Sequence, residues 1–239
     1  MPDHRKHRGP HPEDLQLFAE EHVPRLREAA NDLAWLFNRG YASASALKIV
    51  GDRYALIARQ RTAVARCACS DEATARRQQR QITSEELAGR RLWIDGYNVL
   101  TSVEAALSGG VILHARDGCY RDMASMHGSY RKVDETIPAL RVLGALLAEW
   151  NVAECRWLLD QPVSNSGRLK TILLQLADES NWDWQVDLVP DPDRDLIATD
   201  QIVASSDSQI LDNADRWFNL ARLAIEMRVE GAWVVDLSK

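Results

Sequence analysis

Three aspartates follow short apolar segments, and this pattern is where the sequence first suggests chemistry. Asp95 follows LWI, Asp160 follows WLL and Asp207 follows VASS, far apart along the chain. If these segments are parallel strands, the three side chains meet at one rim of a sheet, beyond the carboxyl ends of the strands. Neighbouring carboxylates repel each other unless a cation neutralises them or a proton is taken up.

The chemistry of this predicted rim favours a hard divalent cation. Oxygen ligands without a His or Cys cluster suit Mg²⁺ or Mn²⁺ better than zinc, so Asp95, Asp160 and Asp207 are the predicted metal ligands and catalytic residues. A metal ion held there can activate water against a phosphodiester. Asn98 is predicted to orient a carboxylate or a phosphate oxygen. For each aspartate taken alone, the alternative is a helix N-cap.

Strands and helices alternate from Arg90 onward. The apolar segments LWI, CRWLL, WQVDLV, QIVASS and AWVVDL are predicted strands, with helices between them and one long helix over 208–228. The segment PDPDRD is predicted to be an acidic turn. This alternation predicts an α/β fold with a mainly parallel sheet covered by helices on both faces.

The first ninety residues have helical periodicity instead. Apolar residues recur every three or four positions over 13–38, and Thr83-x-x-Glu86 resembles a capping box. We therefore predict a disordered tail over 1–12, an all-α domain over 13–89 and the α/β domain over 90–239. The tail has no apolar segment after its basic residues, so it is not predicted to be a secretory signal.

Composition suggests a cytoplasmic protein, and its charge asymmetry fits nucleic-acid binding, although charge alone favours a solvated Arg-rich helix face. No apolar run approaches the ~20 residues of a membrane span, and four cysteines in 239 residues are no disulfide framework. Residues 1–90 hold 15 Lys and Arg against 12 Asp and Glu, a net charge of +3, whereas the remainder holds 14 against 23, a net charge of −9. The expected partner is RNA, with no membrane, and a homo-oligomer is left open.

Candidate RNA-binding and additional site residues lie on both sides of this boundary. Arg53, Arg59 and Arg61 are predicted to bind the RNA backbone, the alternative being a solvated face or ion pairs with carboxylates. The polar segment 116–132 supplies Asp117 as a further rim residue, with Arg121 and Arg131 to clamp phosphate. Its alternative is a loop tied to the body by Arg–Asp pairs.

Two motifs resemble those of PIN-like nucleases, especially the NYN branch. IDGYNVL (94–100) is similar to the opening strand of that fold, and VASSDSQIL (203–211) is similar to its last acidic motif. The resemblance implies a three-layer α/β/α fold and a Mg²⁺- or Mn²⁺-dependent endoribonuclease using Asp95 and Asp207, with Asp160 after the second strand. For the central acidic residue of that family we expect Asp200, and Asp193 and Asp195 are the next candidates.

The helical part carries a second resemblance. YASASALKIVGDRYALIARQR (41–61) is similar to an uncharacterised prokaryotic family in which a helical domain precedes a PIN-like one. The leading hypothesis is thus a metal-dependent endoribonuclease. Two alternatives are a PIN-like binding module without catalysis, for RNA or protein, and a small-molecule phosphohydrolase using the same rim.

Overall fold

The computed structural model describes residues 7–124 and 130–239. We call residues 7–89 the helical half and residues 90–239 the α/β half. The described helical half contains α1 (Asp14–Leu17), a 3-10 turn (Glu20–His22), α2 (Val23–Phe37), α3 (Ser43–Arg53), α4 (Ala58–Cys67), α5 (Asp71–Arg80) and α6 (Ser84–Leu87).

The α/β half begins with β1 and ends with β8. Its elements, in chain order, are β1 (Arg91–Asp95), α7 (Gly96–Leu107), β2 (Ile112–His114), β3 (Tyr120–Asp122), α8 (Thr136–Glu149), β4 (Glu154–Asp160), α9 (Ser166–Ser180), β5 (Trp184–Val189), α10 (Pro192–Ala198), β6 (Ile202–Ala204), α11 (Ser208–Asn213), β7 (Trp217–Phe218), α12 (Leu220–Arg228) and β8 (Val234–Asp236).

A five-stranded sheet forms the centre of the α/β half. Its strands lie in the order β5-β4-β1-β6-β7, and every neighbouring pair is parallel. The chain builds outward from β1 through β4 to β5, then returns to add β6 and β7 on the other side. The strand order therefore reverses between β1 and β6. The prediction of a parallel sheet preceded by a helical region is confirmed.

Helices cover both faces of this sheet because its strands are apolar on both sides. Leu92 and Ile94 of β1 belong to the large core that includes α7, α8, α9 and α12. Trp93, on the opposite face, packs in a smaller core with Leu158 and Val203 against α10 and α11. Successive residues of β1 thus face opposite layers, as the period of a strand requires.

A small second sheet joins the two halves. β2 pairs antiparallel with β3 and parallel with β8, so the predicted final strand forms, but outside the main sheet. Leu113 and Val235 of this sheet share one buried core with Leu26, Leu33 and Val64 of α2 and α4. The helical half therefore packs directly on the α/β half through an apolar interface.

Two predicted segments differ in the structure, and a third agrees with it. The predicted helix over 208–228 is divided into α11, β7 and α12, because Trp217 and Phe218 extend the main sheet beside β6. The predicted turn PDPDRD contains the start of α10, with Pro192 at its first turn and Asp191 accepting the Arg194 N–H at 3.2 Å. The predicted Thr83 capping box is confirmed.

The predicted tail is described from residue 7 onward, and residues 1–6 lie outside the described range, as do 125–129 of the predicted polar segment. Residues 7–12 contact the α/β half instead of standing free. Arg8 Nε donates to Glu104 Oε2 at 2.6 Å, and Glu104 is fully buried. Across the described residues, no helix is both long and apolar enough to span a bilayer.

Candidate functional site

An acidic cleft lies at the carboxyl ends of β1 and β6. Its volume is about 620 Å³, and its floor includes Asp95, Asn98, Asp193 and Asp207. This is the place where the strand order of the main sheet reverses, and ligands of open α/β sheets bind at such switch points. Topology alone therefore marks this cleft as the candidate site.

The Asp95 carboxylate lies at the bottom of the cleft and is only 8% exposed. The Ser205 hydroxyl donates to its Oδ2 at 2.7 Å, and the Asn98 N–H donates to its Oδ1 at 3.4 Å. Gly96 allows the sharp turn after β1, because a Cβ there would lie 2.8 Å from the Leu158 carbonyl oxygen. The backbone thus places Asp95 between β1 and β6.

Asp207 and Asn98 hold the end of β6 against the start of α7. Asn98 Oδ1 accepts both the N–H and the hydroxyl of Ser206, each at 2.9 Å. Asp207 caps α11 by accepting the Gln209 N–H at 2.7 Å. Asp95 likewise caps α7. The N-cap alternative is therefore met by Asp95 and Asp207, and both residues also line the cleft.

Mutual repulsion and burial set the electrostatics of the cleft. Burial raises the pKa of Asp95 from 3.8 to about 7, and the charges of Asp193 and Asp207 add to this rise. Burial and the charge of Asp207 also raise the pKa of Asp193. In the described part of the chain, neither Lys nor Arg forms an ion pair with these three carboxylates. Within residues 7–124 and 130–239, their negative charge is therefore uncompensated.

The predicted central acid, Asp200, does not belong to this cleft. Its exposed side chain follows α10 and accepts from the Gln201 side chain at 2.6 Å. Asp193, which was a lower-ranked candidate for the same role, lines the cleft from the first turn of α10. Asp195 lines a separate surface depression beside Trp93. The helix that the sequence failed to predict decides which aspartate faces inward.

Asp160 ends β4 as predicted but is not among the residues that line the cleft. Its strand lies on the far side of β1 from β6. Its charge still reaches the site, since it contributes to the raised pKa values of Asp193 and of Tyr97. Tyr97 lines the cleft and is 4% exposed, and its buried hydroxyl has no hydrogen-bond partner among the residues that the structure describes.

Asp117 and Arg121 form a buried ion cluster behind the cleft. Arg121 donates twice to Asp117, at 2.9 and 2.6 Å, and Arg77 of α5 donates to the same carboxylate at 2.5 Å. These guanidinium charges hold the pKa of Asp117 well below its usual range despite its burial. Asp117 thus does not join the acidic cleft, and the alternative of Arg–Asp pairs that tie the segment down is the observed one.

The same cluster reaches the cleft through Arg121. Its Nε donates to the Ser206 carbonyl oxygen at 2.8 Å, and its side chain lines the cleft. Arg121 therefore supports the strand end that carries Asp207, with its charge already balanced by Asp117. Because Arg77 belongs to the helical half, the cluster also connects that half to the candidate site.

The arginines predicted to bind RNA lie outside the cleft. Three of them form ion pairs with aspartates of the helical half: Arg53 with Asp32, Arg59 with Asp14, and Arg61 with Asp52. Arg131 lines another cavity, of about 250 Å³, near residues 7–11. Their place at the cleft is taken by Arg66 of α4, whose side chain is 40% exposed and donates to the Asp122 carbonyl oxygen.

Arg66 could not be singled out from the sequence, because α4 carries several arginines and only tertiary packing decides which of them reaches the cleft. Leu47, Thr62, Ala65 and Arg66 of the helical half form the wall of the cleft opposite the aspartates. The site is therefore shared between the two halves of the chain.

The donor set suits a hard divalent cation in type, since it consists of carboxylates with uncompensated charge. Asp95, Asp193 and Asp207 are the residues that could hold such an ion. As they stand, no group of three or more His, Cys, Asp or Glu side chains within the described ranges is gathered closely enough to hold a metal. Metal binding at this cleft would therefore require the carboxylates to be drawn together.

Fold and cleft together define a mixed α/β protein with a carboxylate-lined site at the switch point of a parallel sheet. The chain belongs to the family described as "Domain of unknown function (DUF5616)", whose model matches residues 84–223. Residues 25–80 match "Protein of unknown function (DUF434)". The two matched segments correspond to the α/β half and the helical half.

A relative in an archaeon resembles most of the chain. The uncharacterized protein MJ0935 of Methanocaldococcus jannaschii is 30% identical over 186 residues, which cover 78% of this chain and 88% of that protein. No solved structure matches the chain at a significant level. The similarity therefore extends across both halves of the molecule.

Proposed function

We propose that this protein is a divalent-metal-dependent endoribonuclease whose α/β half is PIN-like. One observation carries the proposal: Asp95, Asp193 and Asp207 line one cleft at the switch point of the sheet, with no cation of the described chain to balance them. Burial and neighbouring charges raise the pKa values of Asp95 and Asp193, and carboxyl groups perturbed in this way are concentrated at functional sites. Mg²⁺ or Mn²⁺ would supply the missing charge.

The residues around the carboxylates support this chemistry. Asp95, Asp193 and Asp207 would hold the metal, which when bound supplies Lewis acidity and an activated water for attack on phosphorus. Ser205 and Asn98 fix the Asp95 oxygens, and Asn98 also fixes the strand end before Asp207. Arg66 stands on the opposite wall, where its half-exposed guanidinium lies 3.9 Å from the Asp122 carboxylate. Because this pairing is loose, the guanidinium would also bind a phosphate oxygen of the strand.

A binding module without catalysis is the second candidate. It is favoured by the spacing of the aspartates, since no group of acids in the described ranges is gathered for metal coordination. In this case Arg66 and the neutral lining of the helical half would bind RNA without a metal ion. This candidate predicts binding of RNA without turnover.

The test compares two matched aspartates of the same short segment. The full-length protein is incubated with labelled RNA in Mn²⁺, in Mg²⁺ and in EDTA, beside its Asp193→Asn and Asp200→Asn variants. We expect metal-dependent cleavage that Asp193→Asn reduces by at least ~100-fold, the scale of a lost group that stabilises transition-state charge. Asp200→Asn should cleave normally, because Asp200 lies outside the cleft.

The other outcomes separate the alternatives. Equal activity in the two variants contradicts the assignment of Asp193. RNA binding without cleavage in either metal favours the binding module. Hydrolysis of nucleotides or simple phosphate esters, with RNA left intact, favours a small-molecule phosphohydrolase. Thermal unfolding of each variant verifies that the fold is retained.

A further inference from the structure

The acidic cleft continues into a second cleft between the same two halves. The second cleft has a volume of about 560 Å³ and shares Leu47, Ala65 and Ser208 with the first. We call it the distal arm. It runs between the end of α2, the start of α3 and α5 on one side and α11 on the other, with Tyr41 among its lining residues. A ligand longer than one cleft can therefore pass from the aspartates into the arm.

The distal arm differs from the acidic cleft in charge. Among the described residues that line it, Asp212 is the sole carboxylate, and it accepts from both Arg76 and Arg77, at 3.0 and 2.7 Å. Ser43 and Ser70 supply hydroxyl groups to the lining. Arg76 also pairs with Glu72 and Arg77 with Asp117, so the charges at this end of the groove are balanced. The distal arm therefore lacks the unpaired carboxylates with which the acidic cleft repels a polyanion.

Tyr41 presents an open aromatic ring in the arm. It is 50% exposed, and no ring or cation in the described part of the chain stacks on it. Trp35, which is 52% exposed, differs in both respects: the Arg39 guanidinium lies 3.5 Å from its ring centroid, and Trp35 does not line the arm. Exposed aromatic rings beside a backbone groove are the common platform for unpaired bases.

We propose that the distal arm is a base-binding subsite in which Tyr41 stacks on an unpaired base of an RNA strand whose scissile phosphate lies at the acidic cleft. The subsite rests on the proposed function for the position of the phosphate. The shared residues Leu47, Ala65 and Ser208 lie along the strand between the two sites. Recognition by stacking tolerates any base, since every base offers a π-face.

The test measures the binding of a labelled single-stranded RNA of ~12 nucleotides, within the range of known single-strand sites, to the full-length protein in Mn²⁺, which balances the charge of the acidic cleft. The reference protein and every variant carry Asp193→Asn, which suppresses cleavage. We expect Tyr41→Ala to raise the Kd by at least ~5-fold, the lower bound of one lost base stack. Tyr41→Phe should stay within ~2-fold, because the ring carries the stacking energy. Trp35→Ala is the matched control and should bind as the reference protein does.

Strand length gives a second readout that a general loss of folding would not produce. A dinucleotide, whose single phosphodiester would lie at the aspartates, should bind Tyr41→Ala and the reference protein equally, whereas the longer strand distinguishes them. Equal Kd values for Tyr41→Ala and Trp35→Ala with the longer strand would overturn the subsite. So would equal losses for the short and long strands.

The fate of the subsite and that of the nuclease proposal are separable. Tyr41-dependent binding with no cleavage by the wild type in Mn²⁺ or Mg²⁺ supports the subsite and contradicts the nuclease. RNA cleavage together with a Kd that Tyr41→Ala leaves unchanged contradicts the subsite and does not affect the nuclease proposal. Absence of any RNA binding overturns the subsite whatever the activity.

Discussion

Replacing Asp95 by asparagine should make the metal-free protein more stable at alkaline pH while it removes activity. Asp95 is buried beside two other acids, and its pKa rises from 3.8 to about 7 in the folded protein. A folded-state pKa above the unfolded value means that the native protein holds its proton more tightly than the unfolded chain does. This contribution to stability is present below pH ~4 and is lost as pH rises through 7.

The size of the effect follows from the same values. A rise in pKa from 3.8 to about 7 corresponds to ~4 kcal/mol between acidic and alkaline pH. Asparagine keeps one oxygen to accept a hydrogen bond from Ser205 or Asn98 but loses the second acceptor. The lost hydrogen bond destabilises the variant by ~1 to 2 kcal/mol and so reduces its advantage by that amount. We therefore expect Asp95→Asn to be more stable than wild type by ~2 kcal/mol at pH 9 and close to it at pH 5.

The assay is urea unfolding in EDTA at several pH values between 5 and 9, with Asp200→Asn as the exposed control. The wild-type free energy of unfolding should fall across this range more steeply than that of Asp95→Asn. Parallel pH profiles, with the variant less stable throughout, would refute the reasoning, because they would show that Asp95 is an ordinary helix cap. Retained RNA cleavage by the variant would refute its place in the site.

Three further predictions concern the surroundings of the site. Asp117→Asn leaves the buried Arg121 without its carboxylate and Arg77 with Asp212 alone, and should lower the free energy of unfolding by ~3 to 5 kcal/mol, measured by urea titration; a loss below ~1 kcal/mol would contradict the ion cluster. Tyr97→Phe removes a buried hydroxyl without a partner and should leave thermal stability equal or higher, and a clear loss would show that the hydroxyl is bonded. Gly96→Ala should destabilise by ~1 to 3 kcal/mol in thermal or urea unfolding, since its Cβ would lie 2.8 Å from the Leu158 carbonyl oxygen; unchanged stability would show that the turn has room.

Local patterns were sufficient to predict four of the five strands of the main sheet and the helical region before them. Apolar segments bounded by aspartate predict β1, β4 and β6, because the period and the end of each strand are local properties. The same patterns failed at β7, where Trp217 and Phe218 continue the helical spacing of 208–228 although they pair with β6. Periodicity alone does not separate a short buried strand from a buried helix turn.

Only the part of the candidate site that lies at the ends of strands could be predicted from the sequence. Asp95 and Asp207 come together because β1 and β6 are neighbours, whereas Asp160 lies on β4, on the other side of β1. That order is a property of the whole sheet and leaves no local signal. To place Asp193 in the site, one must know that α10 begins at Pro192. A seven-residue helix rich in aspartate resembles a turn in sequence, so this start was not predicted.

The charged residues of the helical half show the same limit. Arg59 was predicted to bind RNA, yet its partner Asp14 is buried and lies 45 positions earlier in the chain. Arg66, which reaches the cleft, has no distinguishing neighbour in sequence. Tertiary structure decides which carboxylates lie near each arginine, and therefore which arginine reaches the cleft.

The small sheet has a consequence for the order in which the molecule assembles. β8 supplies Val235 to the core of the helical half, and Arg27 of α2 donates to the Asp236 carbonyl oxygen at 2.9 Å, across 209 positions of sequence. Contacts of such high sequence separation form late and slow folding. During synthesis, the helical half would emerge first but wait with an open apolar face until residues 234–236 arrive, so it depends on the α/β half for its completion.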